Sequence, residues 1–242
     1  MFFFIGCTKK NEVKLTDISS KDSIATYLSL ANEANLTLQN KQEYNQKAFA
    51  IIIDQPNDSI SKVNLFRVAN RYYNMNDWKG YKKTVRVVLD NSKSSNDTVN
   101  IAKAYTYMGD YYGSQAISDS AFMYYFKSEK MYQLLHDNYN FARALLNKAN
   151  LQYNESDFLA SEISVFNALR VIKDEKAKDI LYESYNLLGI IYNELAEYDK
   201  AIEYHNKALA SIDEEVIPLE FQSKATSLNN MGLVYQNLNM HK

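Results

Sequence analysis

The chain has 242 residues, 27 basic and 29 acidic, with a net charge of −2 and 46% hydrophobic residues, enough for a continuous core. Charge spread evenly without a basic stripe argues against binding a phosphate backbone, and the single cysteine excludes an internal disulfide or a cysteine-based zinc cluster. Two prolines and six glycines are few for this length and favour long helices, whose seams suit the 20 tyrosines, ring buried and hydroxyl at the edge.

Residues 1–7, MFFFIGC, are apolar and end in that cysteine. Phe4-Ile5-Gly6-Cys7 resembles the lipobox of bacterial lipoproteins, which implies lipidation at Cys7 and a place in the cell envelope, lipid-anchored or facing the periplasm. Phe4 stands where leucine is usual, and six residues precede Cys7 where a signal needs a charged start and an apolar run of roughly 7–15. Two explanations stand: a start codon placed too far downstream, or an ordinary hydrophobic terminus docked on the first hairpin in a cytoplasmic protein. Three consecutive phenylalanines at a free end favour the first. Lys9–Asp17 is polar and reads as a tether, so 1–20 is set apart from 21–242.

From Lys21 the pattern is helical, and the chain aligns on itself with a period of 40 residues. A small residue on the first helix of each period recurs as Ser29, Ala69, Gly109, Ala149 and Gly189, then as Gly232 after a slip of three. A second column, near the end of the second helix, runs Ala48, Val88, Ser128, Ala168 and Ala208. An aromatic follows the first small position as Tyr72, Tyr112, Tyr192 and Tyr235, broken by Asn32 and Gln152. A further second-helix column holds Tyr81, Ala121, Ser161 and Ala201. Small residues stand where helices cross closely, and the aromatic fills the space beside them.

These columns place helical hairpins at 21–54, 59–91, 97–135, 137–174 and 177–213. Asp54–Asp58 is a turn whose Pro56 ends one helix and whose Asp58 or Ser59 caps the next, and Asn96 or Asp97 caps the one after. Ser156-Asp157 and Ala196-Glu197 mark turns inside hairpins, and Pro218 suits the first turn of a final helix. Met231–Lys242 retraces Leu188–Asp199 and stops where a partner helix should begin, which reads as a truncated frame with an unfinished sixth hairpin.

The stretch Leu181–Leu209, with Leu188-Gly189, Tyr192, Ala201, Tyr204 and Ala208 at fixed offsets, resembles a tetratricopeptide repeat. The resemblance implies an all-α fold, a right-handed superhelical array of antiparallel helical hairpins, each longer here than the usual period of about 34 residues. It is strongest in the third and fifth hairpins.

Catalytic signatures are missing. His136, His205 and His241 fall on different periods, and His205 takes an aromatic slot, where a satisfied seam histidine is expected. There is no phosphate-cradling glycine loop, no HExxH and no nucleophile elbow, and Glu214-Glu215 reads as solvated turn. The expectation is a non-enzyme with no cofactor and no metal.

In the tetratricopeptide family the first helices line a concave groove that grips an extended peptide or a partner helix. Carried onto this chain, the resemblance implies a groove of Phe66, Asn70, Tyr73 and Asn74; Lys103, Thr106 and Asp110; Arg143, Leu146, Asn147, Asn150 and Asn154; Asn186, Ile190 and Asn193; and Asn229, Leu233 and Gln236. Arg143, Asn147, Asn150 and Asn154 follow i, i+4, i+7, i+11 spacing and share one helix face. An asparagine amide both donates to and accepts from a peptide backbone. Asn70, Asn150, Lys103 and Arg143 do not complete the set of a carboxylate clamp.

Two functions follow. The first is a protein- or peptide-binding scaffold that reaches a membrane only through Cys7 or a missing downstream span. The alternative is the sensory half of a bacterial signalling protein, a DNA-binding regulator or histidine kinase whose output domain is missing. A glycan-binding lipoprotein ranks last, because the tyrosines mostly occupy packing columns.

Overall fold

The computed structural model describes residues 20–172, 177–212 and 219–240. Cys7 and its flanks, the tether, Glu214-Glu215, Pro218 and His241 lie outside the described residues. Eleven helices and no strand are found among those described: α1 (Ser20–Leu30), α2 (Leu38–Ile53), α3 (Ser59–Asn74), α4 (Trp78–Ser94), α5 (Thr98–Ser114), α6 (Ser118–Leu134), α7 (Asn138–Asn154), α8 (Phe158–Val171), α9 (Lys178–Glu194), α10 (Tyr198–Ala210) and α11 (Leu219–Met240). They form two compact units, α1–α3 and α4–α11.

From α4 to α10 the helices start every 20 residues, at 78, 98, 118, 138, 158, 178 and 198. Before six of these seven starts, all but 178, the same turn is used. Asn76, Asn96, Ala116, His136, Ser156 and Ala196 all have a left-handed φ of 52° to 60°. The next residue returns its N–H to the carbonyl five positions back, as in Asp97 to Ser92, Asp137 to Tyr132 and Asp157 to Gln152, at 2.8–3.1 Å. That closes one helix in the Schellman manner. The same aspartates then cap the next helix, accepting from the N–H of Asn100, Asn140 and Ala160. One residue ends one helix and begins another, so three residues suffice between helices. Of the cap alternatives, Asp58 and Asp97 accept the helical N–H groups.

In the first unit α2 docks on α3 through Asn45, whose Nδ2 donates to the Val68 carbonyl at 3.0 Å. Arg71 Nε donates to the Leu28 carbonyl, also at 3.0 Å, and joins α3 to α1. Ser29, the first member of the small-residue column, is exposed. In that column burial begins at Ala69, whereas in the second-helix column the first hairpin already fits, with Ala48 fully buried.

In the second unit consecutive helices pack as antiparallel hairpins. Val88, Ser128, Ala168 and Ala208 are fully buried, as are Ala121, Ser161 and Ala201. Crossing volumes are matched in pairs. Where the first helix has glycine, the second supplies a ring: a methyl on Gly109 would lie 2.5 Å from Tyr125 Cδ1, and one on Gly189 would lie 2.6 Å from His205 Cε1. Where the first helix has Ala149, the second has Val165, both fully buried in one cluster with Leu146, Ile180, Leu188 and Ile191. On α11, Gly232 has no such neighbour: nothing lies within 4 Å of where its methyl would be.

Candidate functional site

The odd-numbered helices are the first helices of the hairpins, and in the second unit they meet along polar rungs. Tyr139 Oη and Arg143 Nη2, on α7, both donate to Asp179 Oδ2 on α9 at 2.5 Å. Arg143 Nη1 donates to Glu183. Burial works against the charge on Arg143, but the bond to Glu183, with Tyr139 adding, outweighs it and holds the guanidinium above its ordinary pKa. Between α9 and α11 the rungs are amides and hydroxyls. Asn186 Oδ1 accepts from Ser227 Oγ at 3.3 Å and Asn230 Nδ2 at 3.2 Å, and Asn193 Oδ1 accepts from Asn237 Nδ2 at 3.1 Å.

The residues expected in one groove thus divide into different roles. Arg143, Asn186 and Asn193 join neighbouring first helices. Lys103 is half-buried, with its ammonium 5.9 Å from the Tyr107 ring, and burial lowers its pKa. Thr106 shares a 2.6 Å hydrogen bond with Ser128, and Asp110 accepts from Tyr125 Oη at 2.9 Å. Leu146 is buried in the core, and Ile190 is half-buried. Asn150 and Asn154 on α7 are exposed, with Asn147 half-buried beside them. Asn150 Nδ2 donates to the Leu146 carbonyl at 3.0 Å, which directs the amide along the helix. On α11, Asn229, Leu233 and Gln236 are exposed.

In the first unit Asn70, Tyr73 and Asn74 are exposed and Phe66 is buried. Two arginines that the groove alignment passed over stand on the same α3 face: Arg67, Asn70, Arg71 and Asn74 follow i, i+3, i+4, i+7 spacing. Arg67 and Arg71 line an open pocket of about 360 Å³ with Ser29 of α1 and Asn32 and Glu33 of the turn that follows it. Burial, with Arg67 adding, lowers the pKa of Arg71. The i, i+4 arginine pair is visible in the sequence; the exposure of Ser29 that opens the pocket is not.

His205 departs from expectation. It is fully buried, but neither ring nitrogen has a hydrogen-bond partner. Gly189 makes room for the ring without supplying a polar atom. Burial lowers its pKa to about 4, so the ring is neutral at physiological pH. Among the described residues no group of three His, Cys, Asp or Glu side chains could hold a metal ion, and no helix is long and apolar enough to cross a membrane.

Helical hairpins repeated in one register, with small residues at the crossings, define an all-α, tetratricopeptide-like array. Solved structures share this fold, among them the following two. The crystal structure of BtubC (BKLC) from P. vanneervenii superposes with a TM-score of 0.65 at 16% identity, over 92% of this chain and 85% of that one. A signal transduction ATPase with numerous domains from Pyrococcus horikoshii, described as having a tetratricopeptide repeat sensor, superposes with a TM-score of 0.69 at 15% identity, over 89% of this chain and 32% of that one. At these identities the likeness concerns the fold alone. No protein-family profile matches the chain, and no curated protein matches it.

Proposed function

We propose that the chain is a non-catalytic scaffold whose first-helix face holds an extended peptide or a partner helix. The observation that carries this reading is the pair of exposed amides on α7, Asn150 and Asn154, beside half-buried Asn147. Arg143 is tied to α9 by Asp179 and Glu183, so this helix is braced where the amides need a fixed position. An amide one turn from the next meets successive groups of a peptide backbone without demanding a particular side chain. Asn70, Tyr73 and Asn74 offer a comparable set on α3 of the first unit.

The test is selection from a displayed library of random peptides, followed by calorimetric titration of the best binder. Replacing Asn150 and Asn154 with Asp is expected to lower affinity at least about tenfold, with helical circular dichroism unchanged. Unchanged affinity would remove α7 from the site.

The sensory reading has one observation of its own. The Pyrococcus horikoshii neighbour is described as carrying its repeats as a sensor, and this chain spans about a third of it, 32%. On that reading the same face takes the signal and an output module lies elsewhere in a longer protein. Anchoring at Cys7 fits either role. Incorporation of labelled fatty acid that disappears in Cys7→Ser would support it, and a chain that never takes label would sink it.

A further inference from the structure

Where α1 ends, its last carbonyls need donors from elsewhere. The Ala31 N–H goes to the Tyr27 carbonyl and the Asn32 N–H to the Ser29 carbonyl, both at 2.9 Å, which passes over Leu28. Arg71 Nε on α3 fills that gap at 3.0 Å. One edge of its guanidinium is thereby fixed to backbone, and Nη1 and Nη2 remain for the pocket that the side chain lines. One turn earlier on α3, exposed Arg67 lines the same pocket, with Nη1 donating to Asn64 Oδ1 at 3.2 Å.

Two guanidiniums at i, i+4 repel each other, and a half-buried one without a counter-charge is costlier still. Among the described residues neither has a carboxylate partner. Burial, with Arg67 adding, lowers the pKa of Arg71, and no carboxylate acts against it. Glu33 is the acidic residue of the lining, but it is exposed and pairs with neither arginine. The lining therefore carries an excess of positive charge that nothing in the first unit neutralises.

We infer that this pocket binds a phosphate monoester. A carboxylate has two oxygens and fills one guanidinium fork, whereas a phosphate monoester has three terminal oxygens and a charge of about −2 at neutral pH. It can therefore satisfy both arginines at once, and the arginine fork matches phosphate geometry bidentately. Ser29 and Asn32 add neutral donors to the lining. The pocket, about 360 Å³, is far larger than a phosphate group alone and leaves room for the carbon side of the ester. The site lies within the first unit and does not rest on what the first-helix amides bind.

Titration of the full 242-residue chain at fixed ionic strength, read from the arginine Nε–H resonances, tests the inference. Inorganic phosphate is expected to shift Arg67 and Arg71 saturably, with a Kd on the order of 1 mM, and acetate to bind at least about tenfold more weakly. Arg67→Gln alters an exposed side chain and should keep the fold while weakening phosphate binding about tenfold, read at Arg71. Glu33→Gln removes a like charge from the lining and should tighten binding about threefold. Equal binding of acetate, an affinity indifferent to Arg67→Gln, or weaker binding in Glu33→Gln would each overturn the inference. A phosphoserine peptide and glucose 6-phosphate separate the sources of the ester. Tighter binding of the peptide assigns it to a phosphorylated protein, and tighter binding of the sugar phosphate assigns it to a small metabolite. If neither binds more tightly than inorganic phosphate, the ester assignment is overturned.

Discussion

At the scale of single residues, the repeated turn is built from side chains that strain it. A left-handed conformation costs an ordinary L-residue roughly 1–2 kcal/mol, and asparagine less. Asn76 and Asn96 suit the position, whereas Ala116 and Ala196 do not. Ala116→Gly and Ala196→Gly are expected to raise stability by about 0.5–1 kcal/mol each, the relief of strain exceeding the entropy of the new glycine. Asn96→Gly should change little, and chemical denaturation of the three variants checks this. Two seam residues predict opposite pH responses. His205, lowered from 6.5 to about 4, binds a proton more readily unfolded, so its contribution is complete above pH 6.5 and is lost as pH falls toward 4. Asp110 has its carboxyl pushed by burial from 3.8 up to about 6, so its contribution is complete below pH 3.8 and is lost as pH rises through 6. His205→Phe should therefore gain on the wild type as pH falls from 6.5, and Asp110→Asn should gain as pH rises from 4. Each difference should be on the order of 1–3 kcal/mol, read from unfolding midpoints across that range. A pH-independent difference would remove the corresponding group from the account.

At the scale of helices and hairpins, the glycine column separates packing from propensity. Gly189→Leu drives a branched side chain into the His205 ring and should cost about 1–3 kcal/mol. Gly232→Ala meets nothing within 4 Å and should instead stabilise α11 by about 0.5–1 kcal/mol, the ordinary gain of alanine over glycine inside a helix. Equal effects at both sites would refute the crossing assigned to Gly189. The same column shows what could be read beforehand. Small residues at crossings are a volume constraint that recurs every period, so Ala69, Gly109, Ala149 and Gly189 stood out, and all four are buried. Ser29 fitted the spacing but not the packing, because α1 is only 11 residues long and this side of it is exposed. The finer period of 20 was hidden because its turn residues are Asn, Ala, His and Ser, with glycine at none of them. The candidate groove was legible by face and less so by role. Arg143 looks available on its own helix, and only its register with Asp179 and Glu183 on α9 shows that the positive charge is already engaged.

At the scale of the molecule, the two units each use helical hairpins, and in the second the two kinds of helix carry different surfaces. Among the first helices, α7 meets α9 and α9 meets α11 through polar rungs, with Asn150 and Asn154 of α7 left exposed, while the second helices carry exposed apolar side chains on α6 and α8. A charge near neutrality suits a scaffold with several local surfaces better than one steered by a single field. On the proposed function, ligand recognition belongs to the first-helix face. Its most direct test is amide chemical-shift mapping of the second unit within the full chain, during titration with a peptide obtained by display. Shifts are expected to concentrate on α7 around Asn147–Asn154 and on the facing parts of α5 and α9. Shifts confined to α6 and α8 would contradict that assignment and place recognition on the second helices instead.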